Sequence, residues 1–334
     1  MKKGIIYIFL LIIISCDPYD EYEDHNHDYK YGLYVYDVES TQKTKIEIDS
    51  MSAIQNYDIS QNGKTIVYTT YEKTMLYNME TDEDIQILDW VTYDFSISPS
   101  GNNVAIATHY EGRLQIYLFS LSDLTWTTVM SDSLEKWNVR FASDTTIYFI
   151  SGMSDIYKLN LSNNSITPIL LGNPGSIYYY WISSTETLLY RRHKTYYSED
   201  VFLYTPTQDS AVWITSTSGL NDMDFFADND SIIFDMLSGS ERDIFTMSVN
   251  GGEKIKWTDD ASDDYDPSIS SSGEYIVYKS VIGRENRMLK LINKTTKEVT
   301  IFEDTDTFDG WIEKPRFIPN TSKIIYIKAI ADEE

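Results

Sequence analysis

The sequence is poor in the residues that hold small domains together by cross-links or metal ions. It has one cysteine, Cys16, so no disulfide can form within the chain. Histidine (4), proline (8) and glycine (15) are also sparse over its 334 residues. No helix-length segment repeats its apolar residues with a helical period, which excludes a helical core. A chain of this length can bury a large core, so its stability requires neither cross-links nor a metal.

Basic charge is scarce as well. Lys and Arg number 27 against 52 Asp and Glu, which gives a net charge of −25. Such a field repels a phosphate backbone, and no basic stripe offsets it, so we predict no nucleic-acid partner. Two interpretations of the acidic excess stay open. It keeps a tyrosine-rich surface soluble, or it attracts a cationic partner.

The N-terminus is typical of an export signal. Met1–Lys3 is basic, and the apolar run Gly4–Ile14 that follows is too short to cross a bilayer. The run ends at Ser15-Cys16, which resembles the lipobox of bacterial lipoproteins, a family cut before the cysteine that then carries lipid. We predict a lipoprotein signal peptide over residues 1–15 and a membrane anchor on Cys16, with an ordinary signal peptide as the alternative.

An acidic segment follows Cys16. Asp17–Asp28 carries six acids and no Lys or Arg, so we predict that residues 16–30 are a lipidated, flexible tether. Acids after the lipid cysteine resemble surface-export signals of some lipoproteins, which favours the outer membrane over the inner membrane of the cell envelope. His25 and His27 lie among these acids, but a flexible tail chelates weakly, so we predict no metal site.

Short apolar strands separated by polar turns recur from Tyr31 onward. The clearest copies are Phe95–Ile106 and Pro267–Tyr278, each a strand, a tight turn and a second strand. An apolar triplet such as Ile276-Val277-Tyr278 follows each turn, as expected for a strand buried on both faces. The copies recur every 38 to 48 residues, close to the roughly 40–45 residues of a propeller blade. The apolar residues directly before the turns, here called anchors, are Ile59, Ile97, Phe141, Ile182, Phe226, Ile269 and Phe317.

The two halves of this repeat are out of step at the chain ends. Six triplets are followed by a second strand–turn–strand half, and the seventh such half, Gly32–Ile48, lies at the start of the chain. Joining it to the C-terminal inner strands, Pro315–Lys328, closes a ring and removes exposed sheet edges. We predict an all-β fold, a seven-bladed β-propeller of four-stranded blades, as one domain over residues 31–330. An open solenoid, the alternative, leaves both halves unpaired.

Two copies of the repeat resemble a known family. Phe95–Gly101 and Asp264–Gly273 are similar to the Phe-Ser-Pro-Asp-Gly core of the WD40-like repeats in TolB-type propellers. Asp243–Trp257, with Asn250-Gly251-Gly252 between two strands, resembles the aspartate-glycine hairpin of the same family. The resemblance implies a β-propeller, often one that binds protein.

Catalytic motifs are missing from the sequence. It has no Gly-x-Ser-x-Gly elbow, P-loop, dinucleotide fingerprint or cysteine-based metal motif. Propeller lyases resembling oligogalacturonate lyases use a histidine-rich site, whereas the body of this chain has only His109 and His193. Carboxylate pairs such as Asp222/Asp224 hydrolyse glycosides only at a defined separation, and among 52 acids such pairs arise by chance. We predict no enzyme and no cofactor, with a polysaccharide lyase or hydrolase as the lesser alternative.

Propellers usually bind ligands at one mouth of the central channel, which the residues just ahead of the anchors should surround. Their aromatic, acidic and basic mixture suits a peptide or a sugar, although Trp137, Tyr180 and Trp181 are equally suited to packing between blades. We predict a lipid-anchored envelope protein that binds a protein partner without catalysis, with glycan binding as the alternative. The predicted mouth residues are Tyr93, Asp94, Trp137, Asn138, Arg140, Tyr180, Trp181, Asp222, Asp224, Asp264, Asp266, Lys314 and Arg316.

Overall fold

The computed structural model describes residues 29–46, 48, 53–90, 92, 94–110, 113–130, 134–152, 155–170, 177–183, 185–195, 198–206, 208, 210–226, 228–283, 286–305 and 310–331. These residues form 28 β-strands and no α-helix. Within these ranges no helix is long and apolar enough to cross a membrane. The predicted signal peptide, Cys16, His25 and His27 lie outside the described residues.

The strands follow one another along the chain with short turns. The first fourteen are β1 (Tyr29–Asp37), β2 (Lys43–Ile46), β3 (Ile54–Ile59), β4 (Thr65–Thr70), β5 (Thr74–Asn78), β6 (Glu83–Leu88), β7 (Asp94–Ile97), β8 (Asn103–Tyr110), β9 (Arg113–Ser120), β10 (Thr125–Met130), β11 (Lys136–Ser143), β12 (Thr146–Ser151), β13 (Asp155–Asn160) and β14 (Ser165–Leu170). The others are β15 (Ile177–Ile182), β16 (Leu188–Thr195), β17 (Ser198–Thr205), β18 (Ser210–Thr217), β19 (Met223–Phe225), β20 (Ser231–Ser238), β21 (Glu241–Ser248), β22 (Ile255–Lys256), β23 (Asp263–Ile269), β24 (Tyr275–Ile282), β25 (Asn286–Asn293), β26 (Val299–Thr305), β27 (Gly310–Phe317) and β28 (Lys323–Ala331).

These strands form seven antiparallel sheets of four strands each. Blades 1 to 6 are β3–β6, β7–β10, β11–β14, β15–β18, β19–β22 and β23–β26, and the first strand of each is its innermost strand. Blade 7 has the order β2-β1-β28-β27, so it takes its two outer strands from the start of the chain. The seven-bladed propeller prediction is confirmed.

The seam in blade 7 is an antiparallel pairing of β1 with β28. It runs from Tyr29 opposite Ala331 to Asp37 opposite Lys323. The predicted outer segment Gly32–Ile48 and inner segment Pro315–Lys328 both belong to this blade, but the strands extend beyond those bounds. The innermost strand of this blade, β27, begins at Gly310, five residues before Pro315. Its pairing with β28 continues on the N-terminal side of the bulge next to Pro315, where the fully buried Ile312 pairs with Lys328.

The apolar triplets form the second strand of each blade and are buried between neighbouring blades. Four of them end in a tyrosine and a fifth has one in the middle, and each of these side chains is at most 2% exposed: Tyr68, Tyr190, Tyr278, Tyr326 and, in the middle of its triplet, Tyr148. A buried hydroxyl needs a partner, and acids supply it. The hydroxyls of Tyr326 and Tyr68 donate to Glu303 at 2.6 Å and Asp84 at 3.0 Å. The abundance of tyrosine therefore serves blade packing.

Hydrogen bonds from side chains to the backbone link the innermost strands around the ring. The residue before the anchor accepts from the anchor N–H of the next blade in three places. Asp58 accepts from Ile97 at 3.1 Å, Ser96 from Phe141 at 3.1 Å, and Ser268 from Phe317 at 3.2 Å. The same position holds Arg140, Trp181 and Arg316 in other blades, which leaves those side chains for other contacts.

A bulge recurs in the innermost strands of blades 3, 6 and 7. Asn138, Asp266 and Lys314 each stand three residues before their anchor, and each has a φ of 52°. A non-glycine residue in this left-handed region is strained, and such residues with their bulges concentrate near functional sites. Tyrosines of the following blade hold two of the strained carbonyls. Tyr180 donates to the Asn138 carbonyl at 2.6 Å, and Tyr57 donates to that of Lys314.

Candidate functional site

The charged side chains of the innermost strands meet in the channel, here called the lumen. Arg316 of blade 7 interacts electrostatically with Asp58 of blade 1 and with Asp222 and Asp224 of blade 5. Asp58 and Asp224 also interact with each other, although their blades are not adjacent in the ring. Interactions between non-neighbouring blades place these four groups around one shared space.

The Arg316 guanidinium is exposed to solvent in this space. Burial works against its charge, but Asp222, Tyr57, Asp224 and Asp58 together raise its pKa above the usual value. None of these neighbours in the described part of the chain forms an ion-pair contact with it. Arg316 is therefore a cation that is open to solvent and lies among three acids.

Asp222 and Asp224 are the acids beside Arg316. Asp222 accepts hydrogen bonds from its neighbour's N–H (Met223, 2.9 Å) and from the Trp181 indole at 3.2 Å. Asp224 is exposed yet enclosed by protein, and burial raises the pKa of its carboxyl to about 6, against the lowering effect of Arg316. Burial also raises the pKa of Asp222. Burial is the main cause of both shifts, neighbouring acids add to it, and Arg316 alone does not offset them.

Asp94 and Arg140 form a second charged unit between blades 2 and 3. The Arg140 guanidinium donates to Asp94 Oδ1 at 2.8 Å, and Asp94 Oδ2 accepts from the Val139 N–H at 3.0 Å. Burial disfavours the charge of Arg140, yet Asp94 and its other neighbours leave the pKa of Arg140 raised. The pair is satisfied within the protein and positions one side of the lumen.

Asp266 and Lys314 continue the charged lining in blades 6 and 7. Asp266 lies 3.2 Å from Lys279 Nζ, while Lys314 Nζ donates to the Gln55 carbonyl at 2.9 Å and so joins blade 7 to blade 1. Burial works to raise the pKa of Asp266, but Lys279, Lys314 and Arg316 bring it below its usual value. Asp266 therefore stays ionised. Burial also lowers the pKa of Lys314.

Asp235, on the second strand of blade 5, organises this region. It is fully buried and accepts from the N–H groups of Asn221, Asp222 and Asp266, at 3.0 to 3.3 Å. The Arg242 guanidinium donates to it at 2.9 Å. Burial raises the pKa of Asp235 to about 7, against the lowering effect of Arg242. Asp235 thus holds the backbone of two lumen acids in place.

The predicted aromatic residues are occupied in packing. Tyr180 is 2% exposed and belongs to a hydrophobic core cluster. Trp137 packs against that cluster, and its indole N–H donates to the Gly152 carbonyl at 3.0 Å. Trp181 packs against the core of blades 4 and 5 and bonds Asp222. Asn138 is buried as well. Tyr93 lies outside the described residues.

Asp264 is the predicted mouth residue that the structure places elsewhere. It is fully buried between blades 5 and 6, where Ser262 donates to its Oδ1 at 3.3 Å and its Oδ2 has no hydrogen-bond partner among the described residues. Burial raises the pKa of this carboxyl to about 6. Asp264 and Asp266 would share a face in a regular strand, but the bulge between Tyr265 and Ser268 separates them.

The raised pKa values predict that stability falls as pH rises from about 4 to 7. Asp224, Asp235 and Asp264 bind a proton more tightly in the folded chain than in the unfolded chain, where Asp titrates near 3.9. Asp264→Asn removes one such group, so we expect it to raise the free energy of unfolding at pH 7.5 by about 2 kcal/mol and to change little at about pH 4, where both states are largely protonated. Urea unfolding at both pH values measures this.

Asp260→Asn is the matched control. Asp260 accepts a hydrogen bond from Lys290 at 3.0 Å. Partial burial works to raise the pKa of Asp260, but its hydrogen bonds lower it below the usual value. Loss of this carboxylate should therefore slightly reduce stability at pH 7.5. An Asp264→Asn protein that is less stable than the wild type at pH 7.5 would contradict the prediction.

Several lumen residues were missed from the sequence, although a signal for them exists. Asp58 occupies the position before its anchor, as Arg140 and Arg316 do. Asp235 and Lys279 directly follow their apolar triplets, in the middle of the strand that pairs with the innermost one. A charged residue in either register position is a lumen candidate in a propeller repeat.

Clusters of three or more His, Cys, Asp or Glu side chains that are able to hold a metal do not occur among the described residues. The strands place His109 in β8 and His193 in β16, but their side chains are outside what the structure describes.

Solved structures with the same architecture include a putative TolB from Agrobacterium tumefaciens. It has 14% identity and a TM-score of 0.59 over 91% of this chain and 99% of that chain. The fold is TolB-like. Neither a scan of protein-family models nor a search of curated proteins gives a match.

Enzymes share this fold as well. An oligogalacturonate lyase from Vibrio parahaemolyticus has 12% identity and a TM-score of 0.61 over 75% of this chain and 80% of that chain. A prolyl endopeptidase has 11% identity and a TM-score of 0.66 over 84% of this chain, but this chain covers only 48% of that one. At such identities the likeness extends to the fold alone.

Proposed function

We propose that this protein is a non-catalytic binding propeller of the cell envelope that takes a segment of a protein partner at the lumen. The observation that carries the proposal is the lumen cluster of Asp58, Asp222, Asp224 and Arg316. These groups lie in or directly beside strands of three blades, and among the described residues Arg316 has electrostatic neighbours but no ion-pair contact. Pre-positioned charges confer specificity on an interface because a mismatched partner leaves them unpaired.

The neutral-lumen variant Asp222→Asn/Asp224→Asn/Arg316→Gln tests this function. The substitutions keep side-chain size and most hydrogen-bonding atoms, so the fold should survive, while three of the four charges of the cluster disappear and only that of Asp58 remains. We expect affinity isolation of the wild type from its own membranes to recover a partner, and the variant to recover at least tenfold less. Equal recovery by the two proteins would refute binding at the lumen.

The anchor on Cys16 and an outer-membrane location are part of the same proposal, and rest on the lipobox-like Ile13-Ile14-Ser15-Cys16. Acyl chains contribute about 0.8 kcal/mol per buried CH₂, so two chains hold a protein at a membrane. We expect Cys16→Ala to move the protein from the membrane fraction to the soluble fraction. Membrane retention of that variant after a high-salt wash would show that lipid on Cys16 is not the anchor.

The described mouth aromatics do not favour a glycan site. A sugar stacks on exposed aromatic faces, whereas Tyr180 is buried and Trp137 and Trp181 pack against the blades. Lyase or hydrolase activity has no specific support from the lumen, where the acids surround an arginine. A screen of polyuronides with the purified protein tests that alternative directly.

A further inference from the structure

The two faces of the ring differ in their exposed apolar residues. Innermost strands begin, second strands end and third strands begin on one face, here called the upper face. Leu237 lies there because it pairs with Arg242 at the end of β20, and Ile282 lies there because it pairs with Asn286 at the end of β24. The large exposed apolar residues on this face are Tyr71, Trp90, Leu134, Leu237, Ile282, Trp311 and Ile330.

The opposite face has only Leu124 among the large exposed apolar side chains of the described residues, and the other seven lie on outermost strands. An even distribution would need no explanation, because single exposed apolar residues are common. Concentration on one face is instead typical of an interaction surface.

Five of these residues follow one another around the ring. Leu237 belongs to blade 5, Ile282 to blade 6, Trp311 and Ile330 to blade 7, and Tyr71 to blade 1; we call them the apolar arc. They are 42 to 64% exposed. The arc therefore spans four consecutive blades beside the lumen.

Cations stacked on aromatic rings make the floor of the arc rigid. The Arg287 guanidinium lies 3.3 Å from the centroid of the Trp311 ring and ties blade 6 to blade 7. Arg242 and Lys279 both lie over Tyr265, at 5.2 and 5.3 Å, and the Arg242 contact ties blade 5 to blade 6. Tryptophan, tyrosine and arginine are the residues enriched in binding hot spots, and a rigid surface loses little entropy on binding.

The charge of the lumen indicates what the partner inserts. Asp58, Asp222 and Asp224 surround one guanidinium, whereas the other charges of the lining are balanced: Arg140 pairs with Asp94, and Lys279 and Lys314 lie near Asp266 and Glu313. The chain as a whole carries −25. A cationic group satisfies the surplus carboxylates, and an anionic group adds to their repulsion.

We propose that the protein partner docks an apolar surface on the arc of the upper face and inserts a lysine or arginine side chain into the lumen. This inference rests on the proposed function and adds the docking surface and the charge of the partner. If the partner binds at the lumen through an anionic group, the proposed function stands and this inference is refuted.

Site-specific photo-cross-linking in intact cells tests the docking surface. Benzoylphenylalanine replaces Ile282 on the arc or, as the matched control, Leu124 on the opposite face; both are about half exposed, at 48 and 58%. We expect the probe at position 282 to give at least tenfold more of one protein adduct than the probe at 124, with a lysine or arginine in the cross-linked partner segment. Equal adducts at both positions, no adduct at 282, or an acidic segment would overturn the proposal.

Charge variants in the same background test the inserted group. Asp222→Asn/Asp224→Asn should reduce the adduct at position 282 at least tenfold, whereas Arg316→Gln should preserve or increase it. The reverse pattern would indicate an anionic partner group and overturn this inference, although not lumen binding. Thermal unfolding first establishes that every variant is folded. If the adduct at position 282 is then unchanged in both charge variants and in the neutral-lumen variant, this inference and binding at the lumen are both overturned.

Discussion

A protein that lacks residues 310–334 is expected not to fold, so it should show no cooperative unfolding transition. The deletion takes away β27 and β28, and with them buried side chains that pack against blades 1 and 6: Ile312, Ile318, Ile324, Ile325, Tyr326 and Ile327. Each such side chain contributes roughly 1.5–3 kcal/mol, so their sum is comparable to the about 5–15 kcal/mol that stabilises a typical domain. Circular dichroism against temperature measures the transition.

A matched pair on β28 shows whether the seam belongs to the global unfolding unit. Ile325 is fully buried opposite Val35, whereas Ile330 is 44% exposed on the same strand. Ile325→Ala should lower the free energy of global unfolding by about 2–5 kcal/mol and Ile330→Ala by less than about 0.5 kcal/mol. A truncated protein that keeps one cooperative transition, or equal effects of the two substitutions, would show that the ring does not depend on its seam.

Asp235→Ala is expected to cost about 3–5 kcal/mol of stability at pH 8, where the carboxylate is ionised. The substitution removes the carboxylate that pairs with Arg242, whose side chain is 13% exposed, and deprives the N–H groups of Asn221, Asp222 and Asp266 of an acceptor. Breaking a buried pair by removing one member is strongly destabilising because the other charge stays uncompensated. Urea unfolding gives the free energy.

Asp224→Ala provides the comparison, because Asp224 is exposed and accepts a described hydrogen bond only from the next residue, Phe225. We expect a loss of less than about 1 kcal/mol for it. Equal losses for Asp224→Ala and Asp235→Ala would mean that Asp235 does not organise the lumen.

The ring was predictable because it depends on periodicity. Each anchor and triplet repeats with a blade-like spacing, and the displaced half at Gly32–Ile48 specifies which strands meet at the seam. Strand bounds were less accessible: β1 begins at Tyr29 and β27 at Gly310, since cross-strand pairing extends past the apolar pattern.

The lumen was only partly accessible from the sequence. Asp222, Asp224, Asp264, Asp266 and Arg316 were all predicted from their position ahead of the anchors, but the structure buries Asp264 away from the lumen. In a regular strand, alternation would give Asp264 the face of Asp266. The left-handed φ of 52° at Asp266 breaks that alternation, and an acid gives no local signal of it. Asp235 went unnoticed because its role depends on pairing with another strand.

The most direct test of the account is calorimetric titration of the partner recovered from the membrane against the wild type and the neutral-lumen variant, at equal pH and salt. Removal of contacts between close charges typically weakens an interface by about 2–5 kcal/mol, and each 1.4 kcal/mol is a factor of ten. We predict a Kd at least tenfold higher for the folded variant than for the wild type. Equal Kd values would contradict binding at the lumen.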